Sequence, residues 1–409
     1  MSFDIKTVDP AEFVAWYDSI STAYFRSTDV EPLAQFRSAH VDFDRTWAAY
    51  DHGRVVATLR TFATPITVPG NASVVADAVT NVSTLPTHRR KGALTGMMTA
   101  SLQAAADRGD MLSILLAARW PIYGRFGYGA ATEGVTFEID ATAADFGAAG
   151  RGGELEFVDK ATARSLVPRV FESHRTLHPG AIARTDHDFD LDFGQVVVPG
   201  RTAWDGRIVV HRSAGTSDVD GYLRYHVDDN WEGLRPRCVL VVDDLVATTP
   251  AAYAALWRLC CEIDNVATVR AADRSVDEPL PWLLADARAI THTARTDFVW
   301  VRLLDVSAAL SARSYLTEGR VVLDVRDRLK HAEGRYLLEG GPLGATCVPS
   351  SEPGDLELDV ATLGSAYLGG MHLRTLAAAG LVTEHRPGAL RVADAMFIGA
   401  TVPWCNTWF

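Results

Sequence analysis

The 409-residue chain lacks most of the features that mark specialised proteins. It has only five cysteines, Cys238, Cys260, Cys261, Cys347 and Cys405, with no C-x-x-C pair, and Cys260 and Cys261 are too close for an ordinary disulfide. A disulfide framework and a thiolate zinc site are therefore excluded, and a reducing cytoplasm is the expected setting. A positive charge balance is also missing: 39 Lys and Arg against 51 Asp and Glu give −12. That excludes a nucleic-acid partner held by general basicity and favours cationic ligands. No apolar run approaches the roughly 18 residues of a membrane span. The best candidate, SAYLGGMHLRTLAAAGLV, is interrupted by His372 and Arg374. The start, MSFDIKTVDP, has no basic-then-apolar order and does not read as a signal peptide. Low-complexity tracts, tandem repeats, G-x-S-x-G, H-E-x-x-H and Walker motifs are absent too. What remains is ordinary globular composition, 48% apolar and 22% charged. At about 150 residues per domain, the length predicts two to three domains.

Helical and strand periods alternate through residues 1–147, as expected of an α/β domain. FVAWYDSISTAYF reads as a helix, RTWAAYDHGRVVATLRTFATPITV as strand, turn and strand, and SVVADAVTNVSTL as a long strand. ALTGMMTASLQAAADRG then places Leu94, Met97, Met98 and Leu102 on one helical face, and MLSILLAA follows as a strand apolar on both faces. FGAAGRGGE, at 146–154, is the clearest linker. Residues 148–297 read as a second α/β unit without a glycine-rich phosphate loop. Residues 298–409 read as α+β, with strands VWVRLLD, GRVVLDVRD, GRYLLEGG and GDLELDV and helices VSAALSARSYL and ATLGSAYLGGMHLRTLAAAG.

The most informative segment is NVSTLPTHRRKGALTG, residues 81–96. A strand ends near Pro86, three cations (Arg89, Arg90, Lys91) follow, Gly92 permits close backbone approach, and a helix begins. Backbone N–H groups at a helix start, with cations beside them, suit a pyrophosphate. On pattern alone, a basic cluster before a helix is more often a solvated turn. The order Arg89-x-x-Gly92-x-Leu94 resembles the acetyl-coenzyme A loop of Gcn5-related (GNAT) N-acetyltransferases, with leucine in the last, usually small, position. WPIYGRFGYGAAT (120–132), DEPLPWLLADAR (277–288), LGSAYLGG (363–370) and the tail VPWCNTWF extend the likeness over the whole chain to the enhanced intracellular survival (Eis) family.

That resemblance implies a GNAT fold at 1–147, a degenerate second copy at 148–297 and a sterol-carrier-protein-like α+β domain at 298–409 whose C-terminus enters the active site. It also implies homohexamers, and acetyl-CoA as co-substrate without a metal. The loop of Arg89, Arg90, Lys91, Gly92, Ala93, Leu94 and Thr95 would take the pyrophosphate, and Val82 and Thr84 on the preceding strand would pair with pantetheine.

Acyl transfer from a thioester to an amine needs a base, because the ammonium pKa is about 10.4, and an acid for a thiolate of about 8.5. The family's general acid, the tyrosine of IYGRFG, falls on Tyr123; by residue pattern alone Tyr123 reads as a packed aromatic beside Phe126 and Tyr128. The tail carries Trp404, Cys405, Trp408 and Phe409 where chain ends are usually polar. Burial would raise the pKa of the α-carboxylate and make it a better base. In the family that carboxylate is the base, which assigns the role to Phe409; the plainer reading is an apolar plug. Trp408 stands where aminoglycoside-acetylating relatives carry an acid, and Ala118 where the family has serine, so the expected pocket is more aromatic and less anionic.

The expected function is therefore transfer of acetyl to a primary amine (aminoglycoside, polyamine, arylalkylamine or lysine side chain). A non-catalytic acyl-CoA or lipid binder is the alternative. The acidic run TDHDFDLDF lacks the glycine and glutamate of a calcium loop and reads as a helix start; His88 reads as a surface histidine.

Overall fold

A computed structural model describes residues 3–26, 29–216 and 218–409. They form two compact units: residues 1–132, 297–403 and 408–409 in the first, 133–296 and 404–407 in the second. The first unit begins with β1 (Asp4–Thr7), α1 (Phe13–Ala23), α2 (Glu31–Ser38), β2 (Thr46–Asp51), β3 (Arg54–Thr67), β4 (Ser73–Thr84), α3 (Ala93–Asp107), β5 (Leu112–Leu116), α4 (Trp120–Tyr123) and β6 (Gly129–Ala130). The second holds β7 (Glu133–Asp140), β8 (Glu154–Val158), α5 (Lys160–Arg175), α6 (Asp186–Asp192), β9 (Arg207–Arg212) and β10 (Val219–Asp228). A short ribbon follows, β11 (Trp231–Glu232) with β12 (Arg235–Pro236), then β13 (Cys238–Ala247), α7 (Pro250–Glu262), β14 (Val266–Arg274) and β15 (Ile290–Asp297). The chain then returns to the first unit as β16 (Val299–Leu303).

The first sheet has the order β1-β2-β3-β4-β5-β16-β6. The amphipathic face of α3, with Met97, Met98, Leu102 and Ala105, packs on one side against Leu59, Val79 and Leu115. Phe13, Trp16 and Ile20 of α1 cluster with Ala48, Tyr50 and Val55 in a second core. Strand β5 is apolar on both faces because it lies inside the sheet, parallel to β4 and antiparallel to β16. The second sheet, β15-β7-β14-β13-β10-β9-β8, repeats this order read from its other end.

The strand VWVRL thus completes the first sheet, although the sequence groups it with the C-terminal domain. EGVTFEID, which precedes the glycine-rich stretch, joins the second sheet. Periodicity fixes which faces of a strand are buried and says nothing of which sheet it joins.

The remaining elements of the first unit are α8 (Val306–Ser311), β17 (Gly319–Arg326), β18 (Gly334–Gly341), β19 (Gly344–Pro349), β20 (Leu356–Asp359), α9 (Val360–Tyr367), α10 (Leu373–Ala378), β21 (Val382–Glu384) and α11 (Ala389–Phe397). Their strands form a five-stranded sheet, β19-β18-β17-β20-β21. The long helix expected over ATLGSAYLGGMHLRTLAAAG is two, α9 and α10. Buried Arg313 takes the carbonyl of Tyr367 at the end of α9 and, at 2.8 Å, that of Phe397 at the end of α11, and the Gly369 carbonyl accepts from Gly399 N–H at 2.9 Å. Groups that would extend α9 are thereby committed elsewhere. α8 likewise stops at Ser311, two residues before Arg313 turns inward.

Candidate active site

β4 and β5 pair from Ala76–Leu112 to Val79–Leu115 and then part. One extra residue in β4 shifts its register with β3 between the pairs Arg60–Thr80 and Thr58–Ser83, and Asn81 takes a φ of +53°. Such a bulge bends and twists a strand. The end of β4, residues 80–84, therefore has no strand partner on its β5 side. On that strand end the carbonyl of Val82 accepts the Tyr24 hydroxyl at 2.7 Å.

Past Thr84 the chain makes one tight turn over Pro86–His88, Arg90 adopts φ +63°, and Gly92 enters α3 at φ +97°. No atom would crowd a side chain at Gly92, so it is the left-handed backbone that calls for glycine. Gly92 is also the N-cap and brings no side-chain cap. The N–H groups of Ala93, Leu94 and Thr95 are thus free of intrahelical partners, at the positive end of a 15-residue helix. Arg89, Arg90 and Lys91 are exposed beside them, with Arg89 Nε 3.5 Å from the Thr84 carbonyl and Lys91 Nζ 2.9 Å from that of Thr87. His88 is tied on both ring nitrogens, to Thr87 Oγ1 at 2.8 Å and Asp51 Oδ2 at 3.1 Å. Its imidazole positions the turn.

Tyr123 closes α4, a single turn started by Pro121. Its ring is 6% exposed and sits edge-on to Tyr128 at 6.3 Å, within the core that holds Val79 and Leu115. Burial, with a smaller push from the Tyr24 phenol, raises its pKa to about 12. Among the described residues its hydroxyl makes no hydrogen bond, whereas Tyr128 is held by Ser113 Oγ at 2.6 Å. The turn after Tyr123 rests on Arg302 of β16, which is fully buried. Arg302 donates to the Phe126 carbonyl at 2.5 Å and to Asp327 Oδ2 at 2.7 Å. A Cβ at Gly127 would lie 1.7 Å from the Arg302 guanidinium, which explains that glycine. Removing one partner of such a buried pair costs about 3–5 kcal/mol.

Phe409 packs edge-on to Phe62 of β3 at 5.9 Å. Phe62 faces Ala78 of β4 and lies two residues from Arg60, which faces the bulge. Trp408 meets Phe298 edge-on at 5.1 Å and stays 67% exposed.

Family models match the chain in three stretches: an acetyltransferase (GNAT) domain over 4–131, a second GNAT domain over 180–303 and a sterol carrier protein domain over 306–406. An uncharacterized N-acetyltransferase of Streptomyces avermitilis is 41% identical over 99% of this chain and 98% of its own. The N-acetyltransferase Eis of Mycobacterium tuberculosis is 32% identical over 81% of this chain and 80% of its own. The chain belongs to the Eis-like GNAT N-acetyltransferases. The crystal structure of Eis1 from Mycobacterium abscessus superimposes with a TM-score of 0.86 at 32% identity, over 99% of this chain and all of that one.

Membership in the GNAT family makes the chain an acyltransferase and implies acetyl-CoA as its co-substrate. The open strand edge and the uncapped helix start fit a long polyamide ending in a diphosphate. In this Eis-like chain the structure gathers Val82, Thr84 and residues 89–95 along one continuous stretch, with Tyr123 in the core beneath it. It also brings in two residues that sequence reading missed. Tyr24 follows the last turn of α1, where nothing in its spacing marks it, and Arg302 lies on a strand that joins the sheet only after residues 133–296 of the second unit. The acidic run at 186–192 is α6, started by a reciprocal capping box between Thr185 and Asp188. Among the described residues no helix is long and apolar enough to cross a membrane.

Proposed function

We propose that this Eis-like enzyme transfers acetyl from acetyl-CoA to a primary amine in a ternary complex, with Tyr123 as acid and the Phe409 carboxylate as base. The observation that carries this reading is the unpaired end of β4 running into the uncapped start of α3, with a buried, unbonded phenol in the same core. Bound there, acetyl-CoA supplies an activated thioester. Val82 and Thr84 offer backbone groups to pantetheine, while Arg89, Arg90 and Lys91 with the N–H groups of Gly92, Ala93, Leu94 and Thr95 hold the diphosphate. The amine nitrogen attacks the thioester carbon, and a C–N bond forms as the C–S bond breaks. Phe409 takes the proton the nitrogen sheds, and Tyr123 gives one to the leaving sulfur.

Replacing Arg89 and Arg90 together by alanine is expected to raise the KM for acetyl-CoA roughly tenfold, because two charge-assisted phosphate contacts are lost. Steady-state kinetics in which only the amine KM moved would reassign the loop.

Amine choice follows from the aromatic rim. Trp408 places a ring, not a carboxylate, beside the terminal residue, with Phe62 and Phe298 behind the last two side chains. The exposed acids Asp18, Asp29 and Glu31 of the α1–α2 region would favour a polycation instead, but the ring of Trp408 stands next to the proposed base. Amines with an apolar or aromatic body are therefore expected to exceed aminoglycosides in kcat/KM. Thiol release measured over aminoglycosides, polyamines, arylalkylamines and lysine peptides tests both the reaction and this order. A kanamycin-type substrate ahead of every monoamine by tenfold would overturn the order. A homohexamer in a cytoplasmic setting belongs to the same proposal, supported by exposed Trp282 and Leu234 and by five free, buried thiols. Sedimentation velocity measures the assembly.

A further inference from the structure

The second unit keeps the sheet of the first but has lost what makes the first a coenzyme site. β13 and β14 run parallel and pair from Cys238–Val266 to Val242–Ala271, just as β4 and β5 pair and then part. β13 also carries a one-residue bulge, at Asp243, between the pairs Tyr225–Val242 and Arg224–Asp244 with β10. The equivalence ends there. Only Thr248 and Thr249 link β13 to α7, with no cation between them. Thr249 caps the helix, accepting from Ala252 N–H at 3.2 Å while donating to Asp220 Oδ2 at 2.7 Å. Pro250 brings no N–H at all, so this helix start offers nothing to a phosphate.

The chain's own tail spans the parted strands instead. Trp404 Nε1 donates to the Asp273 carbonyl at 2.7 Å, near the end of β14, and its backbone N–H donates to the Pro179 carbonyl at 2.8 Å. Asn406 Nδ2 donates to Asp244 Oδ1 at 2.9 Å, on β13. One four-residue segment thus bridges both strands. Arg184 holds it from the side: one nitrogen donates to Asp244 Oδ2 at 2.5 Å, Nε donates to Thr407 Oγ1 at 3.1 Å, and the third nitrogen reaches the Asn406 carbonyl at 3.4 Å. Tyr222 adds a hydrogen bond to Asp244 Oδ2 at 2.7 Å. The Arg274 guanidinium stacks 4.9 Å over the Trp404 ring, and His174 meets it edge-on at 5.5 Å. Cys405 is 1% exposed. A chain end is ordinarily frayed, yet here its polar groups and its rings are both matched by buried partners.

We infer that the second GNAT domain is a receptor for the chain's own C-terminal segment, and that Arg184 and Asp244 are positioning residues for Phe409. The inference rests on the proposed role of the Phe409 carboxylate as base. Residues 404–407 belong to the second unit and Trp408 and Phe409 to the first, so the anchored Thr407 stands only two residues before the terminus. Fixing Thr407 removes most of the conformations that the terminal carboxylate would otherwise sample.

The test loosens the tail without breaking the buried ion pair. In the full chain, Asn406→Leu with Thr407→Val removes the side-chain contacts to Asp244 and Arg184. Kcat is expected to fall at least tenfold, with the KM for acetyl-CoA within twofold of wild type. Alkylation of Cys405 by N-ethylmaleimide, followed by peptide mass spectrometry so that the other four thiols are read separately, is expected to quicken at least tenfold. Arg184→Lys keeps a cation on Asp244 but removes the fork that reaches Thr407; it provides the same measurements if the double variant folds poorly. Titration of acetyl-CoA into wild type is expected to give one site per chain. Unchanged Cys405 labelling, or two coenzyme sites, would overturn the receptor assignment. Faster labelling with full kcat would overturn the positioning role alone, provided that a chain with one glycine added after Phe409 is inactive. If that extended chain is also fully active, the base assignment itself has failed.

Discussion

Tyr123→Phe is expected to lower kcat by roughly 10²–10⁴ while the Kd for acetyl-CoA and the melting temperature stay near wild type. The ring keeps its packing against Tyr128 and the α3 core, so only the oxygen is lost. Its hydroxyl bonds no described residue, so its removal orphans no buried partner. Burial holds the phenol at about 12, and the sign follows directly. A raised pKa keeps the proton on the oxygen throughout the usual assay range, so Tyr123 contributes no falling limb below about pH 11. The kcat/KM of the wild type should therefore rise between about pH 6 and 9 as the amine deprotonates, and the residual activity of Tyr123→Phe should rise with it. Turnover unchanged in the variant would remove Tyr123 from the chemistry.

A C-terminal extension is the second large effect. Adding even a short tag moves the α-carboxylate away from the ring contact that Phe409 makes with Phe62 and forces polar residues into an aromatic seat. Turnover is expected to drop by at least 10², while acetyl-CoA binding persists because the loop at 89–95 is untouched. Deleting Phe409 is the milder change, since it creates a new carboxylate on Trp408, one residue short. The measurement is a comparison of N-terminally and C-terminally tagged protein with one amine. Equal turnover would refute the carboxylate as base.

The loop from Arg89 to Leu94 was legible in the sequence because helix starts, glycines in left-handed backbone and exposed cations are local properties, set within a few residues. The two-sided burial of MLSILLAA and the amphipathic face of α3 were legible for the same reason. Helical period alone reads 361–380 as one continuous helix, because its break depends on Arg313 and Gly399, which approach only in the fold.

The sequence by itself determined the class of this protein. Its motifs, spaced along the whole length, mark an Eis-like GNAT chain with a basic, glycine-bearing turn before a helix in the first domain and no such turn in the second. Tertiary structure alone decided which strand completes which sheet, that Tyr24 reaches the Val82 carbonyl, that Arg302 carries the turn after Tyr123, and that the tail lies against Arg184 and Asp244. Each of these joins residues far apart in the chain through side chains that alternation and helical period leave unspecified. A period of two or of 3.6 fixes a face, and only packing chooses the partner that covers it.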